Sequence, residues 1–302
     1  MAEKELMRKA IIDLGTNTFN LLIADVLDHK VEYIYSEKAA VLLGMGGINE
    51  GFISDDAMNR AKETLEIFKL KCIEKNVLSI IGFGTSALRD ASNSKELIDF
   101  SNIELGIPVQ VISGQEEAKL IYAGVKLCHK INDSTLIMDI GGGSTEFIFA
   151  DSSGMIDAES LDIGVSRIYQ LLGKPLEYNK SHYDEVEHYL NSRIGDFFNI
   201  NNSTVLVGSS GSFETIFEMI HKMSFPETGD SFELDIDQVM EKLNWLIDSS
   251  LEERMNNEWI VAIRKKMMPI AAYKMKWMIE LMNVKRIYVS PYSLKEGALL
   301  SI

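Results

Sequence analysis

Apolar positions along the chain fall into short runs separated by segments of helical spacing, and the order of these segments repeats. Residues 10–14, 19–27 and 30–37 read as three consecutive strands, followed by a helix over 55–74 and a strand at 78–83. A short helix near 94–105, a strand at 108–112 and a helix from 114 to about 129 complete the first round. Three strands over 135–162 open the second, which continues with a helix near 181–199, a strand at 204–208 and a helix from Ser212. Residues 236–282 are mostly helical, before a strand at 286–290 and a terminal helix. The pattern predicts an α/β protein of two similar domains, 1–128 and 129–302, with the boundary within or just after the helix ending near His129.

The repetition extends to the chemistry of the first turn in each round. Residues 136–149 run apolar strand, Asp139, Ile140, then Gly141-Gly142-Gly143-Ser144-Thr145-Glu146 and a second apolar strand. Residues 10–26 follow the same plan, with Asp13, Gly15 and the hydroxyl-rich Thr16-Asn17-Thr18. Consecutive glycines let a backbone adopt positive φ and aim N–H groups at one anion, while Ser144 and Thr145 add hydroxyl donors. Asp139 and Glu146 repel an anion unless a cation lies between them, so a phosphate held with a divalent metal reconciles the two halves. A plain glycine-rich hairpin is the alternative, but it needs only one or two glycines and no carboxylate at the end of a buried strand. The phosphate-loop pattern with its Gly-Lys-Ser/Thr ending is missing, and Gly82-Phe-Gly84-Thr-Ser-Ala87 meets the dinucleotide fingerprint only in relaxed form. Two such hairpins a domain length apart place the expected phosphate site in an interdomain cleft.

The helix beginning at 114 carries the strongest candidate for catalysis. Ser113-Gly114-Gln115-Glu116 has capping-box spacing, which gives Glu116 a structural task. Glu117 instead lines up with Leu120, Ile121, Gly124, Val125 and Cys128 on the apolar stripe, so its carboxylate is expected to point into the protein. Burial raises the pKa of such a group and the helix N-terminus lowers it, which suits a general base. A carboxylate placed there for the helix dipole alone fits the spacing equally well. Arg89 follows an apolar strand, where a guanidinium either clamps a phosphate or pairs at the surface with Asp90. Gly208-Ser209-Ser210-Gly211-Ser212 is a further strand-to-helix turn whose free N–H groups suit a second phosphate or a base edge, and an ordinary turn with a serine N-cap accounts for it nearly as well.

Composition narrows the class. The 302 residues are 46% hydrophobic, enough for a sizeable core, and the formal net charge of −15 excludes nonspecific binding to DNA, RNA or anionic membranes. The same charge opposes a polyanionic substrate unless local cations, backbone dipoles and metal overcome it. Cys72 and Cys128 lack metal spacing and read as reduced core residues of a cytoplasmic protein, and the five histidines form no ligand cluster. No signal-peptide pattern opens the chain, and Asp13, Asn17 and Asn20 interrupt the first apolar run, so no membrane span is expected.

Asp13-Leu-Gly-Thr-Asn-Thr, Gly84-Thr-Ser-Ala-Leu-Arg-Asp, Ile112-Ser-Gly-Gln-Glu-Glu-Ala, Asp139-Ile-Gly-Gly-Gly-Ser-Thr-Glu and Gly208-Ser-Ser-Gly-Ser together resemble, in order and over almost the whole chain, the motifs of the exopolyphosphatase and guanosine pentaphosphate phosphohydrolase family. The resemblance implies two actin-like, ribonuclease-H-like ATPase domains around a cleft. It implies that Glu117 is the base that activates water and that Asp139 and Glu146 hold magnesium, with manganese as the alternative. It places Asn17, Thr18, Arg89, Gly141, Gly142, Gly143, Ser144 and Thr145 around the terminal phosphates.

Two departures stand out. Asn20 lies where many family members carry a basic residue, and Arg264-Lys265-Lys266 only partly resembles a family region near the C-terminus, leaving either a local basic patch or a solvated helix face. The chain reads as the short form of the family, which leaves fewer subsites for a long polymer. The expected activity is release of terminal orthophosphate from inorganic polyphosphate, with guanosine pentaphosphate as the competing substrate. A small-metabolite kinase or a non-catalytic sensor on the same fold are the other classes, and a homodimer is the default assembly.

Overall fold

A computed structural model of the chain describes residues 7–27 and 30–301. In the first half, β1 (Met7–Leu14), β2 (Thr18–Leu27) and β3 (Lys30–Ala40) form an antiparallel meander. Helix α1 (Asp55–Glu74), β4 (Ser79–Gly84), α2 (Ser86–Asp90), α3 (Ser94–Asp99), β5 (Val109–Val111) and α4 (Gly114–Val125) follow. Strands β4 and β5 add in parallel, giving the order β3-β2-β1-β4-β5.

The second half repeats the meander as β6 (Thr135–Ile140), β7 (Thr145–Asp151) and β8 (Gly154–Leu161). Then come α5 (Val165–Leu171), α6 (Lys180–Asn191), α7 (Phe197–Ile200), β9 (Val205–Gly208), α8 (Gly211–His221) and β10 (Phe232–Leu234). Helices α9 (Ile236–Asp248), α10 (Leu251–Asn256) and α11 (Met268–Leu281), strand β11 (Arg286–Val289) and α12 (Leu294–Leu299) complete it. The sheet order β10-β11-β9-β6-β7-β8 is that of the first sheet with one antiparallel edge strand added. The architecture is two actin-like, ribonuclease-H-like lobes.

Period-2 alternation in the strands decides what faces the cleft. In β1, Ala10, Ile12 and Leu14 pack towards α1, whereas Ile11 turns to the opposite face. In β6, Leu136 and Met138 enter the core of the second lobe and Ile137 faces the other way. Ile11 and Ile137 meet in a third core, shared by both sheets and filled by Ile121 and Val125 of α4 and by Leu294 and Ala298 of α12. Asp13 and Asp139 stand two residues after Ile11 and Ile137, so both carboxylates lie on the faces the lobes turn to each other. Helices α4 and α12 cross between the sheets, backbone against backbone. A Cβ at Gly124 would sit 1.9 Å from the Ser293 carbonyl oxygen, and one at Gly297 would sit 1.9 Å from that of Leu120.

Several boundaries differ from expectation. The helix expected to run to about 129 ends at Val125, and its last residues form a turn. The helix expected over 181–199 is two, α6 and α7, because Gly195 takes φ +49° in the loop between them. Residues 94–105 are α3 followed by a π-helical turn, and the short elements α2, α5 and β10 were not predicted. Both cysteines are free and buried, and among the described residues no helix is long and apolar enough to cross a membrane.

Candidate active site

The two glycine turns meet at the floor of the cleft. Ser166 on α5 donates from Oγ to Asn17 Oδ1 at 2.5 Å, and the Gly142 carbonyl accepts from the Ser166 and Arg167 amides. None of Gly141, Gly142 and Gly143 adopts positive φ, which corrects the sequence-based reason for them. Close approach explains them instead. A Cβ on Gly142 would stand 2.8 Å from the Asn17 side chain, and one on Gly143 would stand 2.4 Å from Ser86 Oγ and 2.8 Å from Thr16 Oγ1. Gly142 and Gly143 let the hairpin tip of one lobe lie on that of the other, whereas a Cβ on Gly141 would meet the Ser144 carbonyl oxygen of its own hairpin at 3.0 Å.

Cross-strand register sets the acids in rows. Asp139 pairs with Glu146 across β6 and β7, and Glu146 pairs with Ser160 on β8. Directly opposed residues share a face with Cβ atoms roughly 5 Å apart. Asp13 pairs in the same way with Asn20, and Asn20 with Lys38 on β3. Asn20 therefore occupies in the first lobe the place of Glu146 in the second, and it donates from Nδ2 to Asp13 Oδ2 at 2.9 Å. Asp139 Oδ2 accepts from Ser209 Oγ at 2.9 Å and Ser293 Oγ at 2.7 Å, while Glu146 Oε1 accepts from Ser160 Oγ at 2.7 Å. The Gly208 turn thus contributes a second-row hydroxyl to Asp139, and its Ser210 Oγ accepts from the Ile140 amide.

Glu117 enters the same cleft from the first turn of α4. The capping box forms as expected, with Glu116 Oε2 accepting from the Ser113 amide and hydroxyl, and Glu117 is buried. Arg89, on α2, donates from Nη1 to Glu117 Oε2 at 3.2 Å and to the Ile112 carbonyl at 3.0 Å. Its expected surface partner Asp90 pairs instead with Arg167 at 2.6 Å. Arg89 is thus placed on the carboxylate of Glu117.

The four acids disfavour one another's charge. Burial pushes Asp13 up to about 6, where the Asn20 bond works against it and Asp139 adds to it. Burial likewise raises Asp139 to about 6 against the Ser293 and Ser209 bonds. Glu146 rises to about 7 through burial and then the charge of Asp139. Glu117 lies well above the ordinary carboxylate range, from burial first and the charge of Glu146 second, with Arg89 opposing. Behind the turn, the fully buried Lys274 on α11 donates to Thr145 Oγ1 and to the Ile163 carbonyl, both at 2.5 Å. Burial lowers its ammonium to about 7 while Glu146 and Asp139 pull it up. Thr145, expected at the phosphate, turns this hydroxyl to Lys274 and is itself fully buried.

Among the described residues no three His, Cys, Asp or Glu side chains converge as a closed metal site. Magnesium does not require one, since it commonly takes one or two carboxylates and completes its octahedron with water and phosphate oxygens. The donor set here is all carboxylate and hydroxyl oxygen, and repulsion within it is what a divalent cation would relieve. The residues fit a hard divalent ion.

The cleft is lined by Asp13, Asn17, Thr18, Gly141 to Ser144, Glu117, Asp139 and Glu146, so most expected residues come together. It is also lined by Lys38, Glu214, Arg264 and Lys295, none of which was expected as a site residue. Lys38 shares its row with Asp13 and Asn20, a signal that required the register of the third strand. Arg264 lies in the turns between α10 and α11 and lays its guanidinium on Gly211, where a Cβ would stand 1.6 Å from Nη2.

The Ppx/GppA phosphatase family matches residues 22–302. An exopolyphosphatase of Cytophaga hutchinsonii is 34% identical, with 98% of this chain and 97% of that chain covered at a TM-score of 0.93. A PPX-GPPA enzyme of Aquifex aeolicus shares the fold at 23% identity, with coverage of 99% and 100% and a TM-score of 0.82. With the family match spanning nearly the whole chain and the repeated hairpins converging on one acid-lined cleft, the chain belongs to the Ppx/GppA phosphatase family of phosphoanhydride hydrolases.

Proposed function

We propose that the cleft removes terminal orthophosphate from inorganic polyphosphate by attack of a water activated by Glu117. The observation that carries this reading is the placement of Glu117: buried on the cleft wall, held by Arg89 and facing the Asp139 and Glu146 row. A raised pKa makes its carboxylate a stronger proton acceptor once ionised. Arg89 fixes one oxygen of that carboxylate, which leaves the other to accept a proton from water. Asp139 and Glu146 would hold magnesium or manganese, which when bound neutralises charge on phosphoryl oxygens. The amides at the Gly142 and Gly143 turn and the hydroxyls of Thr18 and Ser144 are suited to orient the terminal phosphate, and Ser160, Ser209 and Ser293 orient the acids.

Phosphate release measured with magnesium on tripolyphosphate, long-chain polyphosphate and guanosine pentaphosphate tests the substrate. Faster turnover of polyphosphate is expected. A strong rate advantage for the guanosine substrate would replace polyphosphate with it, and phosphate transfer that requires an added alcohol acceptor would move the protein to the kinases.

A further inference from the structure

Beyond the acids, the cationic side chains lining the cleft are Lys38, Arg264 and Lys295, and one carboxylate sits among them. Lys38 of the first lobe donates to both oxygens of Glu214 on α8 of the second lobe, at 2.7 and 2.9 Å. Arg264 Nη2 stands 3.6 Å from Glu214 Oε2, and Lys295, paired with Glu296 at 2.7 Å, adds its charge to the group. Burial opposes the charge of Glu214, but Lys38 and Arg264 outweigh it, and the carboxyl lies below the ordinary range. It is therefore a persistent anion in a cluster of cations, on the wall of a cleft that must accept a polyanion.

A phosphate chain whose terminal group lies on the glycine turns must place its next phosphates along that wall. The four acids of the cleft repel them, and of the cations that can neutralise them Lys38 and Arg264 are already engaged by Glu214 and Lys295 by Glu296. We propose that Glu214 is a specificity-determining residue that occupies the subsite of the penultimate phosphates, so that substrate must displace it from Lys38 and Arg264. Because Lys38 and Glu214 come from opposite lobes, the same displacement unlatches the two lobes on this side of the cleft. A competing internal anion weakens binding of the chain while leaving the water-activating groups alone. The inference rests on the polyphosphate reading and specifies its second subsite.

The sign of one substitution separates this role from a structural one. Tripolyphosphate binding is measured by calorimetry with magnesium in the Glu117→Gln protein, which is expected to bind without turnover, with and without Glu214→Gln. If Glu214 competes with phosphate, its neutralisation tightens binding about tenfold, and Glu214→Gln made alone, with Glu117 intact, lowers KM to match and leaves kcat within about twofold. If Glu214 only holds the cations in place, binding weakens or stays the same, and the inference is overturned. Should the double variant not fold, a crystal structure of Glu117→Gln with tripolyphosphate decides: phosphate oxygens on Lys38 Nζ and Arg264 support the role, and an intact Lys38–Glu214 pair beside bound tripolyphosphate overturns it. Failure of Glu117→Gln itself to bind tripolyphosphate at millimolar concentration would contradict the substrate reading, an outcome distinct from binding that ignores Glu214.

Discussion

Removing one acid from the floor of the cleft should stabilise the protein in a pH-dependent way. Asp13 titrates at 3.8 in an unfolded chain and at about 6 in the fold. Between those values the folded state keeps a proton that the unfolded state has lost, so stability falls as pH rises through this window. A shift of about two units is worth about 3 kcal/mol, at ~1.4 kcal/mol per unit, and the whole of it is lost by pH 8. Asp13→Asn is nearly isosteric and can still accept from Asn20 Nδ2, so it removes the charge and keeps the bond. In EDTA the variant should match wild type within about 0.5 kcal/mol at pH 4 and exceed it by about 2–3 kcal/mol at pH 8, a rise in Tm on the order of 6 °C. Thermal denaturation followed by circular dichroism at both pH values reads this difference. An equal gain at both, or a loss at pH 8, would refute the idea that unrelieved charge strains the apo cleft. Magnesium should shrink the gap at pH 8 by stabilising wild type more than the variant.

Other consequences are as specific. Gly164→Ala should cost about 3 kcal/mol, because a Cβ there lies 2.2 Å from the Gly142 carbonyl oxygen, whereas Gly173→Ala, with open space around it at φ +74°, should cost about 1; chemical denaturation compares them. Arg89→Met removes the cation that opposes the high pKa of Glu117, so the acidic limb of the kcat profile should move to higher pH. An unmoved limb with a raised KM would show that Arg89 serves substrate instead. Lys274→Met strips Thr145 and the Ile163 carbonyl of their buried donor and should destabilise by about 2–4 kcal/mol, measured by urea unfolding.

Much of this site was legible in the sequence because it is built from local signals repeated once. The alternation that puts Ile11 and Asp13, or Ile137 and Asp139, on one face is a property of consecutive residues. The helical spacing that buries Glu117 with Ile121 and Val125 is equally local. What escaped depends on register and on contacts between distant segments. Lys38 becomes a cleft residue only when β3 is aligned on β2, and Arg264 only when an irregular stretch of turns folds back on Gly211. The three glycines were recognised for a freedom of φ they do not use, since the need for Gly142 and Gly143 arises where the other lobe's Asn17 and Thr16 press against them. Arg89 was placed near the chemistry, but the partner that defines its position, Glu117, could not be read from its own segment.

In the proposed reaction Glu117 activates water at a phosphate seated between the two glycine turns. Glu117→Gln tests it most directly, with phosphate release and tripolyphosphate binding measured on the same protein with magnesium. A fall in kcat of about a thousandfold is expected, with Kd changed by less than about threefold. Turnover within tenfold of wild type would contradict it.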